Sequence, residues 1–84
     1  MKTIYNVYVP IESQEQADRM KQICIDYGLP IWDTDFAFTF IPIKNIFRFQ
    51  EKGNEFWITS TGADNLTQVT ESEFLELVKM LNKC

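Results

Sequence analysis

The chain has no histidine among its 84 residues. That excludes a Ser-His-Asp triad, imidazole acid–base chemistry and a His-ligated zinc site. Its three glycines are isolated, so no glycine-rich loop cradles a phosphate. The two cysteines, Cys24 and Cys84, form no CxxC pair and read as reduced thiols. No apolar run approaches the ~20 residues of a membrane-spanning helix. The opening Met1-Lys2-Thr3-Ile4-Tyr5-Asn6 lacks the apolar stretch of a secretion signal, which makes a cytoplasmic location the expectation. Positive charge is also short, with 8 Lys and Arg against 12 Asp and Glu and a net charge of −4. A long nucleic acid needs a basic footprint and is not expected as a partner, whereas a small nucleotide is still admitted.

Aromatic residues are plentiful, with seven Phe, two Trp and three Tyr, as in an ordered globule. A chain of this length is one domain, 1–84, and buries roughly 60% of its unfolded surface. Its clearest local signal lies near the C-terminus. Thr70 and Glu73 form a capping box, and Val69 and Phe74 are placed to close a hydrophobic staple over the same turn. Phe74, Leu77, Val78 and Leu81 then recur at helical spacing. Early glutamates and the late Lys79 and Lys83 suit the helix dipole.

Residues 3–9 read as a strand, with Tyr5, Val7 and Val9 on one face and Ile4, Asn6 and Tyr8 on the other. Ser13 and Gln16 open a helix over 13–27 as a second capping box. Ala17, Met20, Cys24 and Tyr27 line its apolar stripe, Glu15 and Arg19 pair on its wet side, and Gly28-Leu29-Pro30 ends it. Phe36-Ala37-Phe38-Thr39-Phe40-Ile41 alternates and predicts a strand closed by Pro42. A hairpin follows over 46–59. With Glu51 to Asn54 as its loop, Gln50 pairs with Glu55, Arg48 with Trp57, Phe49 with Phe56 and Phe47 with Ile58. That register collects the large apolar residues on one face, and a one-residue slip would scatter them. Leu66-Thr67-Gln68 can add a short extended piece. The expected fold is a two-layer α+β sandwich in the order β-α-β-β-β-α. Its four-stranded, mainly antiparallel sheet carries two helices on one face.

The opposite face is expected to carry Ile4, Asn6, Tyr8, Ala37, Thr39, Ile46, Arg48, Trp57 and Thr59. Trp, Tyr and Arg are the residues that dominate binding hot spots. Trp57 opposite Arg48 is either a cation–π pair that stiffens the hairpin or part of a binding platform. Trp32 is read as tucked under the sheet edge. Cys24, on the apolar stripe, is read as a structural thiol and Cys84 as an exposed one. Asp33-Thr34-Asp35 is the one tight carboxylate pair, and a solvated turn fits it better than a metal site.

The phrases Glu15-Gln16-Ala17, Ile23-Cys24, Gly28-Leu29-Pro30 and Val69 to Leu77 resemble segments of small uncharacterised accessory proteins encoded by bacterial viruses. The resemblance implies a non-enzymatic cytoplasmic protein that neutralises something in the host, such as a defence protein or a nucleotide signal. The residues lead to the same first expectation: an interaction protein without cofactor or metal, a homodimer working through Tyr8, Arg48 and Trp57 on its sheet face or through an edge. A second reading is a sponge in which two protomers enclose a nucleotide-like anion with Arg48, Lys44 or Lys52. A metal-dependent enzyme built on Asp33 and Asp35 is the third.

Overall fold

The computed structural model describes residues 2–81 and shows an α+β fold with two helices and an open four-stranded sheet. The elements are β1 (Val7–Pro10), α1 (Gln14–Asp26), a 3₁₀ helix (Asp35–Phe38), β2 (Ile46–Gln50), β3 (Glu55–Thr59), β4 (Thr67–Gln68) and α2 (Glu71–Leu81). The sheet order is β3-β2-β1-β4. β1 runs antiparallel to β2 and parallel to β4, so the sheet is mixed.

The hairpin has the register that its apolar pattern demands: Phe47 opposite Ile58, Arg48 opposite Trp57, Phe49 opposite Phe56 and Gln50 opposite Glu55. Its loop closes at Asn54, which takes a left-handed φ of 58° that asparagine tolerates. Phe47, Phe56 and Ile58 are buried with Val7 and Val9 on the helix side of the sheet. The rings of Phe47 and Phe56 stack at 5.5 Å, and Phe74 of α2 meets them edge-on at 5.1 and 5.9 Å. This quadrupole-favoured packing is the centre of the core.

The cap of α2 is reciprocal. The Thr70 amide donates to Glu73 Oε1 at 3.0 Å, and the Glu73 amide donates to Thr70 Oγ1 at 3.1 Å. That bonding holds the Glu73 carboxyl below its ordinary pKa. Phe74 and Val78 are buried and Leu77 packs against the core, while Leu81 is exposed. Lys83 and Cys84 lie outside the described residues.

In α1, Ser13 Oγ accepts from the Gln16 amide, but the Gln16 side chain reaches past the cap to the Glu12 amide at 2.9 Å. Arg19 does not join Glu15. It forms a two-pronged ion pair with Glu71 at 2.8 and 3.1 Å, tying α1 to the first turn of α2. Gly28 adopts φ +68°, and the Leu29 amide returns to the Cys24 carbonyl at 2.8 Å. Ala17, Met20 and Cys24 are fully buried. Burial pushes the Cys24 thiol up to about 12. In a Cys84→Ser background, Cys24 is therefore expected to resist an aromatic disulfide reagent near pH 8 until denaturant unfolds the protein. Rapid labelling of the native protein would contradict this burial.

The predicted strand over 36–41 is not a strand. Thr34 Oγ1 caps a 3₁₀ turn by accepting from the Ala37 amide at 3.2 Å. Gln14 of α1 imitates a strand partner: its Nε2 donates to the Phe38 carbonyl at 2.9 Å and its Oε1 accepts from the Phe40 amide at 2.8 Å. With these backbone groups satisfied by Thr34 and by Gln14 of α1, nothing drives the segment into the sheet. A turn of three residues also separates Phe36 from Phe38, which alternation would have placed together. Phe38 enters the core and Phe36 is turned out to 58% exposure.

The place beside β1 goes to β4 instead. Thr67 N donates to the Asn6 carbonyl at 3.1 Å and Val69 N to the Tyr8 carbonyl at 2.9 Å. β1 begins only at Val7, and Ile4 turns back into the core while Tyr5 is largely exposed. Ile4 and Ala37 thus belong to the core and not to the opposite face.

Candidate functional site

Three of the four residues singled out from the sequence stand in one row. Tyr8 pairs with Arg48, and Arg48 pairs with Trp57. Gln68 extends the row on β4, where it accepts a hydrogen bond from the Tyr8 hydroxyl at 3.0 Å. The Tyr8, Arg48 and Trp57 side chains lie on the face away from the helices, because neighbours in register share a face and the residues on either side of each are buried in the core, and Gln68 joins them through its bond to Tyr8.

Within the row, Arg48 does not stack on Trp57. Its Nε donates to the Phe49 carbonyl at 3.0 Å and its Nη1 to the Gly62 carbonyl. Gly62 has φ +94°, and a Cβ there would run into the guanidinium. Arg48 is thus the anchor that draws the 60–66 loop against the sheet. Trp57 packs instead against Trp32, edge-on with ring centroids 4.7 Å apart.

Trp32 reaches this position through backbone pairing. Pro30 accepts from the Phe56 amide at 2.9 Å and Trp32 N donates to the Phe56 carbonyl at 3.2 Å. Ile31 therefore runs parallel to Phe56 as a one-residue bridge, and Trp32 falls beside Trp57. Trp32 is half-buried, on the open face and not beneath the edge. The same pairing covers part of the outer edge of β3, while the other edge strand, β4, has only two residues.

Lys44 is apart from the row. It is buried, and its Nζ donates to the carbonyls of Phe36, Thr39 and Ala37 at 2.7, 2.9 and 3.4 Å. It also sits over the Phe36 ring at 4.6 Å. Its burial lowers its pKa. Its role in this geometry is to hold the 36–44 segment, and its charge is turned away from solvent.

That segment supplies what the sequence reading missed. Phe36, Ile41 and Ile43 are 58%, 42% and 76% exposed and line a shallow depression of about 310 Å³ together with Trp57 and Thr59. Ile41 and Ile43 are presented by a turn in which the Lys44 amide donates to the Ile41 carbonyl at 2.9 Å. Phe36 meets Trp32 edge-on at 6.3 Å, so the apolar cluster is continuous with the tryptophan pair. Pro42 between two isoleucines was the available signal, because a turn that interrupts an apolar run exposes it.

Among the described residues, no group of three or more His, Cys, Asp and Glu is placed to hold a metal ion. The Asp33-Thr34-Asp35 stretch serves as the start of the 3₁₀ turn. Among the described residues no helix is long and apolar enough to cross a membrane. No protein-family model matches the chain, and neither the curated proteins nor the solved structures yield a match.

Proposed function

We propose that this is a small, non-enzymatic binding module that takes a protein partner on the open face of its sheet. The observation that carries this reading is the cluster Phe36, Ile41 and Ile43, exposed beside the half-buried Trp32–Trp57 pair. Contiguous exposed apolar groups rimmed by polar ones are a signature of interaction surfaces, and tryptophan is enriched at their hot spots. Through the resemblance to viral accessory proteins, the reading extends to a host defence protein, blocked by occupancy.

A homodimer through this face would oppose two like-charged rims, since Asp33 and Asp35 flank Trp32 and Phe36 in each copy. A different chain is the better fit. The nucleotide-sponge reading is less well supported, because Arg48 and Lys44 already donate to backbone carbonyls.

The test is Phe36→Ser with Ile43→Asp. Both side chains are exposed, so stability should stay within about 0.5 kcal/mol of the parent. Quantitative capture from bacterial lysate should lose its enriched partner, with at least a tenfold fall in affinity once that partner is purified. Undiminished binding by the folded double variant would exclude this surface.

A further inference from the structure

Next to the apolar cluster, a cleft of about 300 Å³ is lined by Trp32, Trp57, Gln50, Lys52, Gly53 and Glu55. The Gln50 amide and the Glu55 carboxylate in it lack partners, as does the exposed Lys52 ammonium at its mouth, among the described residues. Gln50 Nε2 is buried without a hydrogen bond. Among the described residues, the Glu55 carboxylate makes neither an ion pair nor a hydrogen bond. Gln50 and Glu55 are cross-strand neighbours, so one incoming group can meet both. An unpaired buried donor destabilises a fold, and a ligand that supplies the acceptor offsets that cost.

The chemistry of the missing partner follows from these walls. A free carboxylate asks for a cation, and indole faces attract one as well. A stranded amide donor asks for a carbonyl, which the Gln50 side chain can reach by turning about its soft terminal torsion. A basic residue within an extended chain brings both at once, a cationic side chain and a backbone carbonyl. The net charge of −4 would steer such a segment toward the protein.

We infer that this cleft takes an arginine or lysine side chain from an extended segment of a partner protein, whose apolar residues rest on Phe36, Ile41 and Ile43. The inference rests on the proposed binding function and names the partner's chemistry.

The probe is N-acetyl-Leu-Arg-Leu-amide, compared with the same peptide carrying citrulline, which keeps the shape of arginine without its charge. Both are titrated into ¹⁵N-labelled protein while the indole N–H signals of Trp32 and Trp57 are followed. The arginine peptide should move both signals saturably and bind about tenfold more tightly than the citrulline peptide. In Glu55→Gln that preference should vanish while the spectrum remains that of the folded protein. Equal affinity of the two peptides for the parent protein would overturn the inference. If Phe36→Ser with Ile43→Asp still abolished capture of the partner enriched from lysate, the proposed function would stand without the inference. Indole shifts that depend on protein concentration alone would assign the cleft to a second copy of this chain and overturn the inference as well.

Discussion

Phe74→Ala is expected to cost about 3–5 kcal/mol, a large part of the stability of a small domain. The ring is buried and closes an aromatic cluster, edge-on to both Phe47 and Phe56. Three strands and α2 meet there, so the void has no neighbour free to collapse into it. Urea denaturation followed by circular dichroism is the measurement, with the transition midpoint falling while the slope is unchanged for the fraction that still folds. Partner binding should fall only in proportion to the folded fraction. Phe36→Ala is the control: the same residue type, 58% exposed, should shift stability by no more than about 0.5 kcal/mol. Comparable losses from the two variants would mean that the 3₁₀ turn is misplaced and that Phe36 belongs to the core after all.

Lys44→Met should destabilise the fold by about 2–3 kcal/mol, although it replaces a charge with an apolar side chain of similar length. The ammonium is the donor for the Phe36 and Thr39 carbonyls, which methionine cannot serve. Hydrogen exchange should speed up locally over 36–44, ahead of global unfolding. Because the same segment presents Phe36, Ile41 and Ile43, partner affinity should fall more than the loss of folded protein explains. The pH dependence has a definite sign. Burial lowers the pKa of Lys44 from the ordinary 10.5. Between the lowered folded value and 10.5 the unfolded chain binds more protons, so stability rises with pH across that window. Below it, the whole cost of holding the charge is present. The difference between the parent and Lys44→Met across alkaline pH should show that rise, and a flat difference would remove Lys44 from the buried position assigned to it.

The hairpin was legible because its information is local. Alternation over Ile46 to Gln50 and Glu55 to Thr59 admits one register that buries Phe47, Phe49, Phe56 and Ile58 together, and that register is the one observed. It also placed Arg48 opposite Trp57 and, with Tyr8 from β1, most of the row across the open face. What each of these side chains touches was not legible. The Arg48 guanidinium could be claimed by an indole or by a carbonyl, and the carbonyl of Gly62 lies 14 residues away in a loop that only the fold brings close.

The stretch 36–41 shows the limit most clearly. Period-two alternation is the mark of a strand, but it states only which residues are apolar. Whether they pair depends on who satisfies the backbone. Here Gln14, 24 residues from Phe38, and Lys44 take those bonds. The outcome sends Phe36 outward and creates the apolar cluster on which the functional reading now rests.

The sequence by itself determined the elements whose causes lie within a few residues: both capped helices, the left-handed stop at Gly28, the hairpin and its buried face. The tertiary structure alone decided that Thr67–Gln68 and not residues 36–41 flanks part of the sheet, that Trp32 joins Trp57, and that Lys44 is spent on carbonyls. The physical reason is the same in each case. Caps and alternation are satisfied by near neighbours, whereas a backbone donor, an indole face or an ammonium takes whichever partner the folded chain delivers.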